Sequence, residues 1–230
     1  MQKQLKKVEM NPSNIQSDRM KATMIERLVT LYEKKYLLHR SDILKRELCA
    51  YTYYKADNHF QFPEPYLKTI RLLFNEEYLF TKEAFAEINL ISECSLANHD
   101  FLRLLETVLR TNWQYSNQPE NILSFIELIH SLLEIISCRL KVSTQFFESS
   151  RTSFLHHIKF LALKIQQKEI DYSTSDNDLY FFLEENHREA FSIAENIRKF
   201  ITETYDFDLS NNDITYLVLH LIKSLGALTV

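Results

Sequence analysis

The chain has 230 residues with one glycine, four prolines, three cysteines and a formal net charge of −4; 45% of its residues are apolar and 13% aromatic. Average usage would give ~16 glycines and ~11 prolines, so folds that need glycine at hairpin turns or phosphate-cradling loops are excluded: β-barrels, sandwiches, Rossmann sheets and P-loops. The apolar content excludes disorder, no apolar run reaches membrane-spanning length, and the charge, +2 over residues 1–116 and −6 over 117–230, supplies no basic stripe for nucleic acid.

What survives is an all-α protein with polar connections. The N-terminal MQKQLKKVEM is basic but lacks the apolar region of a signal peptide. Cys49, Cys94 and Cys138 are too scattered for a disulfide framework or a zinc knuckle, which suits a reducing cytoplasm. Residues 1–19 read as an extension, followed by helices at about 20–38, 42–55, 66–79, 82–92 and 98–111. The polar stretch TNWQYSNQPEN at 111–121 contains Pro119 and reads as a linker, which divides the chain into domains at 20–113 and 121–230 with 114–120 between them.

The second half is the more regular. Ile122, Phe125, Ile126, Ile129, Leu133 and Ile136 recur at helical spacing and mark a core-facing stripe. A helix at about 145–167 follows, then the polar loop DYSTSDND, in which Asp176 can cap a short helix to about Glu185. A long helix carries Phe191, Ile193, Ala194, Ile197 and Ile201 on one side. After the turn DFDLSNND, Ser210 and Asp213 have the spacing of a capping box for a last helix that ends near Leu225, with Gly226 as its stop. The two halves echo each other: EAF at 83–85 and 189–191, and LANHD at 96–100 against LSNND at 209–213, each of the latter pair before an amphipathic helix. Together these predict two tandem five-helix bundles.

Of eight histidines, two stand out by position. The last helix has the stripe Ile214, Leu217, Val218 and Leu221, with His220 at its edge. In SFLHHIKFLALKI the stripe is Phe154, Ile158, Leu161 and Ile165; His157 lies at its edge and His156 points nearly opposite. An edge histidine is ordinarily satisfied by a neighbouring carbonyl or carboxylate. A partner can also reach it, and a neutral imidazole, with a pKa of ~6.5, is a nucleophile that can accept a phosphoryl group. No HExxH, GxSxG or Cys/His cluster is present, and the carboxylates pattern as solvated helix faces, so an enzyme is not expected.

At these residues the second half, about 120–226, resembles the PTS regulation domain of sugar-responsive bacterial transcription regulators of the BglG/LicT antiterminator class. His157-Ile-Lys-Phe-Leu-Ala-Leu-Lys164 is similar to one marked site of that family. Asp213-Ile-Thr-Tyr-Leu-Val-Leu-His220 is similar to the other. The resemblance implies that His157 and His220 are phosphoacceptors in a regulatory homodimer. It implies as donors the phosphocarrier HPr or a sugar-specific B component of the phosphotransferase system, and no metal or cofactor. The first half, about 20–113, resembles a degenerate copy: aligning Asp100 on Asp213 puts Thr107 where His220 stands, with Glu106 beside it, and RELCAYTYY has no histidine for the other site. The nucleic-acid-binding domains usual in such regulators have no counterpart in the short N-terminal extension, so no direct nucleic-acid binding is expected. A phosphate at either histidine should repel the acidic second half unless Lys159 or Lys164 turns inward. The alternatives are an interaction module inert to phosphorylation and, more weakly, a metal site with His157 and His220 as ligands but no third ligand at characteristic spacing.

Overall fold

A computed structural model describes residues 12–36, 41–53, 66–91, 96–112, 122–142, 147, 152–169 and 177–225. Among these there are ten helices and no strand: α1 (Pro12–Lys34), α2 (Ser41–Tyr53), α3 (Tyr66–Leu73), α4 (Asn75–Ile91), α5 (Asn98–Asn112), α6 (Ile122–Leu140), α7 (Thr152–Gln167), α8 (Asn177–Asn186), α9 (Arg188–Tyr205) and α10 (Asn211–Leu225). The fold is all-α, as the glycine shortage dictates. No helix among the described residues is long and apolar enough to cross a membrane.

The helices differ from the sequence expectation in three places. α1 opens at Pro12 rather than near residue 20; proline suits the first helical position, where its missing N–H would have no intrahelical acceptor, but the polar PSNIQSD that follows carries no apolar stripe to reveal it. α7 begins at Thr152 rather than near 145, although Phe147 ahead of it is itself helical. The break expected between helices at 66–79 and 82–92 falls instead at Phe74: α3 ends at Leu73 and α4 runs on to Ile91, with Glu76 and Glu77 in the favourable acidic positions of its first turn. The apolar run Leu72-Leu73-Phe74 continues through the break, so periodicity cannot see it. The linker, Asp176 and Gly226 lie outside the described residues.

The chain forms two compact units. The first contains α1, α2, α4 and α5. Its core is built from Ile25, Leu28, Leu44, Leu48, Ala84, Ile88, Leu104 and Val108 around the rings of Tyr32 and Phe80, which meet edge to face at 4.9 Å. Tyr36 Oη donates to Glu83 Oε1 at 2.7 Å and Lys35 also binds that carboxylate; together they hold the Glu83 carboxyl below the usual carboxylate range.

The second unit contains α6 to α10 and also α3. α3 packs on α6, where buried Thr69 places Oγ1 3.0 Å from His130 Nδ1 and the Tyr66 ring meets the His130 imidazole at 5.0 Å. α6 is the central helix: Ile122, Phe125, Ile126, Leu128, Ile129, Leu132, Leu133 and Ile136 are all buried, and it contacts α3, α7 and α9. α10 is held by α7, α8 and α9. Asp206, in the left-handed region at φ 50°, ends α9 and turns the chain back toward α10; a short polar side chain tolerates that conformation better than most.

Candidate functional site

The two edge histidines meet between α7 and α10. The His157 and His220 rings are stacked, with centroids 4.6 Å apart and planes inclined by 24°. Phe154, Ile158, Leu161 and Ile165 of α7 are buried, as are Ile214, Leu217, Val218 and Leu221 of α10. Both imidazoles are half-buried at the border of these stripes, while His156 is exposed. The helix periodicity alone therefore separates His157 from its neighbour.

The environment keeps both rings neutral. Burial drives the His157 pKa down to about 4; the proximity of His220 pushes in the same direction, and the Asp213 carboxylate pulls weakly back. His220 is lowered as well, by burial and then by Lys223 one turn on. Two imidazolium ions in face contact would repel, so stacking and neutrality support each other. His157 Nε2 is buried and has no hydrogen-bond partner among the described residues. A covered ring nitrogen without a partner costs stability in the resting fold. Tyr216 flanks the pair at 6.3 Å from His157, and Phe154 at 6.5 Å from His220.

A second pair joins the same two helices. Lys164 Nζ reaches both oxygens of Asp213 at 2.8 Å, and both side chains are largely covered. Asp213 is also the capping residue the sequence suggests. Its Oδ2 accepts from Ser210 N at 2.9 Å and Ser210 Oγ at 2.7 Å, and Ser210 Oγ accepts from Asp213 N at 3.2 Å. Lys164 has thus turned inward, but onto a carboxylate. Stripe geometry misses this pairing, although the sequence carries a signal for it: His157 to Lys164 and Asp213 to His220 are each seven residues apart. Equal spacing in opposite order is what two antiparallel helices require when they face each other at both positions.

The remaining histidines lie elsewhere. His130 is bound up with α3, His187 stands at the N-cap position of α9 without a side-chain capping bond, and exposed His99 is 3.5 Å from Asp100. His39 and His59 lie outside the described residues. In the first unit, Thr107 Oγ1 donates back to Arg103 O at 3.0 Å, as helix threonines do, and burial pushes the Glu106 carboxyl up against the opposing pull of Arg110 and Arg103. Among the described residues no three of His, Cys, Asp and Glu converge as metal ligands.

Residues 125–224, from the first turn of α6 to the last of α10, match the family model of the PRD domain. The match encloses both stacked histidines and the Lys164–Asp213 pair.

Proposed function

From the PRD domain at residues 125–224, a regulatory and not a catalytic family, we propose a sensor module of a bacterial sugar-responsive transcription regulator, switched by phosphorylation of His157 and His220. The stacked pair of neutral imidazoles carries this reading. A neutral ring nitrogen can attack the phosphorus of a carrier's phosphohistidine. The new P–N bond forms as the carrier's P–N bond breaks, the acceptor ring loses its proton, and the released carrier imidazole takes one up. One phosphoramidate replaces another, so the step is nearly isoenergetic and the carrier's phosphorylation state is passed on as a readable signal. The donors are HPr or a sugar-specific B component of the phosphotransferase system, and the setting is the cytoplasm.

A phosphoryl group brings about −1.5 to −2 charges and three strong acceptors to the α7–α10 edge. Lys164 is already committed to Asp213 and Lys223 lies one turn from His220, so the new charge meets a nearby lysine within an otherwise acidic half of the chain, and the changed electrostatics alter the packing of one copy against a second. A coupling of ~1–3 kcal/mol is enough to move such a monomer–dimer balance. The residues here act through that balance and not by binding nucleic acid themselves.

Incubation with a reconstituted phosphotransferase cascade should give acid-labile, base-stable label on the second unit. His157→Ala combined with His220→Ala should abolish it, whereas His156→Ala should leave most of it. Label that persists in the double variant would show the acceptors to be elsewhere. Absence of label with every donor would favour an inert interaction module.

A further inference from the structure

We infer that Lys164 and Asp213 are positioning residues: their ion pair sets the antiparallel register of α7 on α10, and through it the stacking of His157 on His220. This rests on reading that histidine pair as the phosphoacceptor site.

The register argument is arithmetic. Lys164 faces Asp213, and seven residues earlier on one helix and later on the other, His157 faces His220. Seven residues are just under two helical turns, about 10 Å, and return to nearly the same face. The ion pair and the ring stack are therefore two rungs of one seam. Between them the seam is apolar, with Leu161 of α7 and Leu217 of α10 both buried. Apolar packing is non-directional, and a slide by one turn would exchange one aliphatic contact for another. The bridge cannot slide. Asp213 is tied by Ser210 to the start of α10, and Lys164 meets both of its oxygens at 2.8 Å. A covered ion pair of this kind is better suited to choosing one arrangement than to adding net stability. α6 also packs on α7, through apolar faces and a hydrogen bond from Gln166 Nε2 to Ser124 Oγ, a contact that does not include α10. The charges that act on His157 come from α10, namely His220 and Asp213; Lys223 acts on His220.

The test is an NMR titration of the imidazole signals in the full, unphosphorylated chain. It separates register from charge by sign. Asp213→Asn retains a side-chain oxygen for the Ser210 cap but breaks the bridge. By charge alone, losing Asp213 must lower the His157 pKa further, because that carboxylate now raises it. Loss of register instead frees the ring from His220 and from burial, and we expect the pKa to rise by about one unit or more, a tenfold gain in proton affinity. The upfield ring-current shifts of the stacked rings should be lost with it. Lys164→Met should lose the same shifts, and Lys164→Arg should keep them. An Asp213→Asn titration that falls or stays put overturns the inference. If that variant does not fold, Lys164→Met decides, and a stack that persists there also overturns it. None of these readouts needs a phosphoryl donor, so the inference can fail while the acceptor assignment stands, and an unlabelled protein with the expected titrations would refute only the assignment.

Discussion

Helices α5 and α10 are built to one plan and end in different chemistry. Each opens on an aspartate that accepts the amide three residues before it, Asp100 from Ala97 N at 2.8 Å and Asp213 from Ser210 N at 2.9 Å. Each then buries the same three positions, Leu104, Leu105 and Val108 against Leu217, Val218 and Leu221. The second adds the hydroxyl that completes the capping box, a lysine across the seam and a histidine seven residues on. In the first, Thr107 occupies the histidine's place and turns its hydroxyl back onto its own helix. The packing positions are matched while the chemical ones are not. A helix face buries itself by volume and apolarity, which many residues satisfy, whereas the phosphohistidine transfer proposed for the second unit needs an imidazole.

The comparison breaks most visibly in the cores. Leu217→Ala and Leu104→Ala each leave a cavity at a fully buried site, and each should cost about 2–5 kcal/mol in denaturant unfolding. Their consequences should diverge: Leu217→Ala should also disturb the histidine signals, and Leu104→Ala should not. If both disturb them equally, the two units are not separable as described. Next in size is pH. The folded His157 pKa of about 4 lies below the ordinary 6.5, so between those values the unfolded chain takes up a proton that the folded chain refuses. Stability is therefore complete above about pH 6.5 and falls as pH drops toward 4, by up to about 3 kcal/mol. His220, shifted in the same direction, adds to the fall. His157→Gln should flatten most of this slope in urea midpoints measured from pH 7 to 4; an unchanged slope would mean that burial of His157 is not what shifts it. The smallest expected effect is none at all. Thr107→His should gain no phosphoryl label, because neither α2 nor α4, the helices packed on α5, carries a histidine to pair with it. Label on that variant would show that a lone edge histidine suffices.

Much of the site is legible in the amino-acid sequence. Stripe geometry and the family motif independently choose His157 over His156, and the fold leaves the one half-buried and the other exposed. The Ser210–Asp213 box is readable because a cap is local, its two partners three residues apart. The contact between Lys164 and Asp213 escapes a local reading, because its partners are 49 residues apart and each has a sufficient local role, one as a solvated lysine and the other as a cap; the equal seven-residue spacings are the one signal of it.

α3 and α8 mark the same boundary at the level of the fold. Each is a short helix before a longer one, α4 or α9, that carries the EAF triplet. α8 packs on α9 and α10, its neighbours in sequence, whereas α3 packs on α6, some fifty residues further on. The order of residues is enough to establish that the chain is helical, where most helices run, which faces are buried and which two histidines lie at the edge of an apolar stripe. Those follow from glycine content, helical period and capping, all set within a few residues. Tertiary structure alone decided that the helix breaks at Phe74, that α3 joins the second unit, and that two heptad-spaced motifs on separate helices close into one seam. These depend on which apolar face meets which, and hydrophobic burial rewards any well-packed pairing without naming the partner.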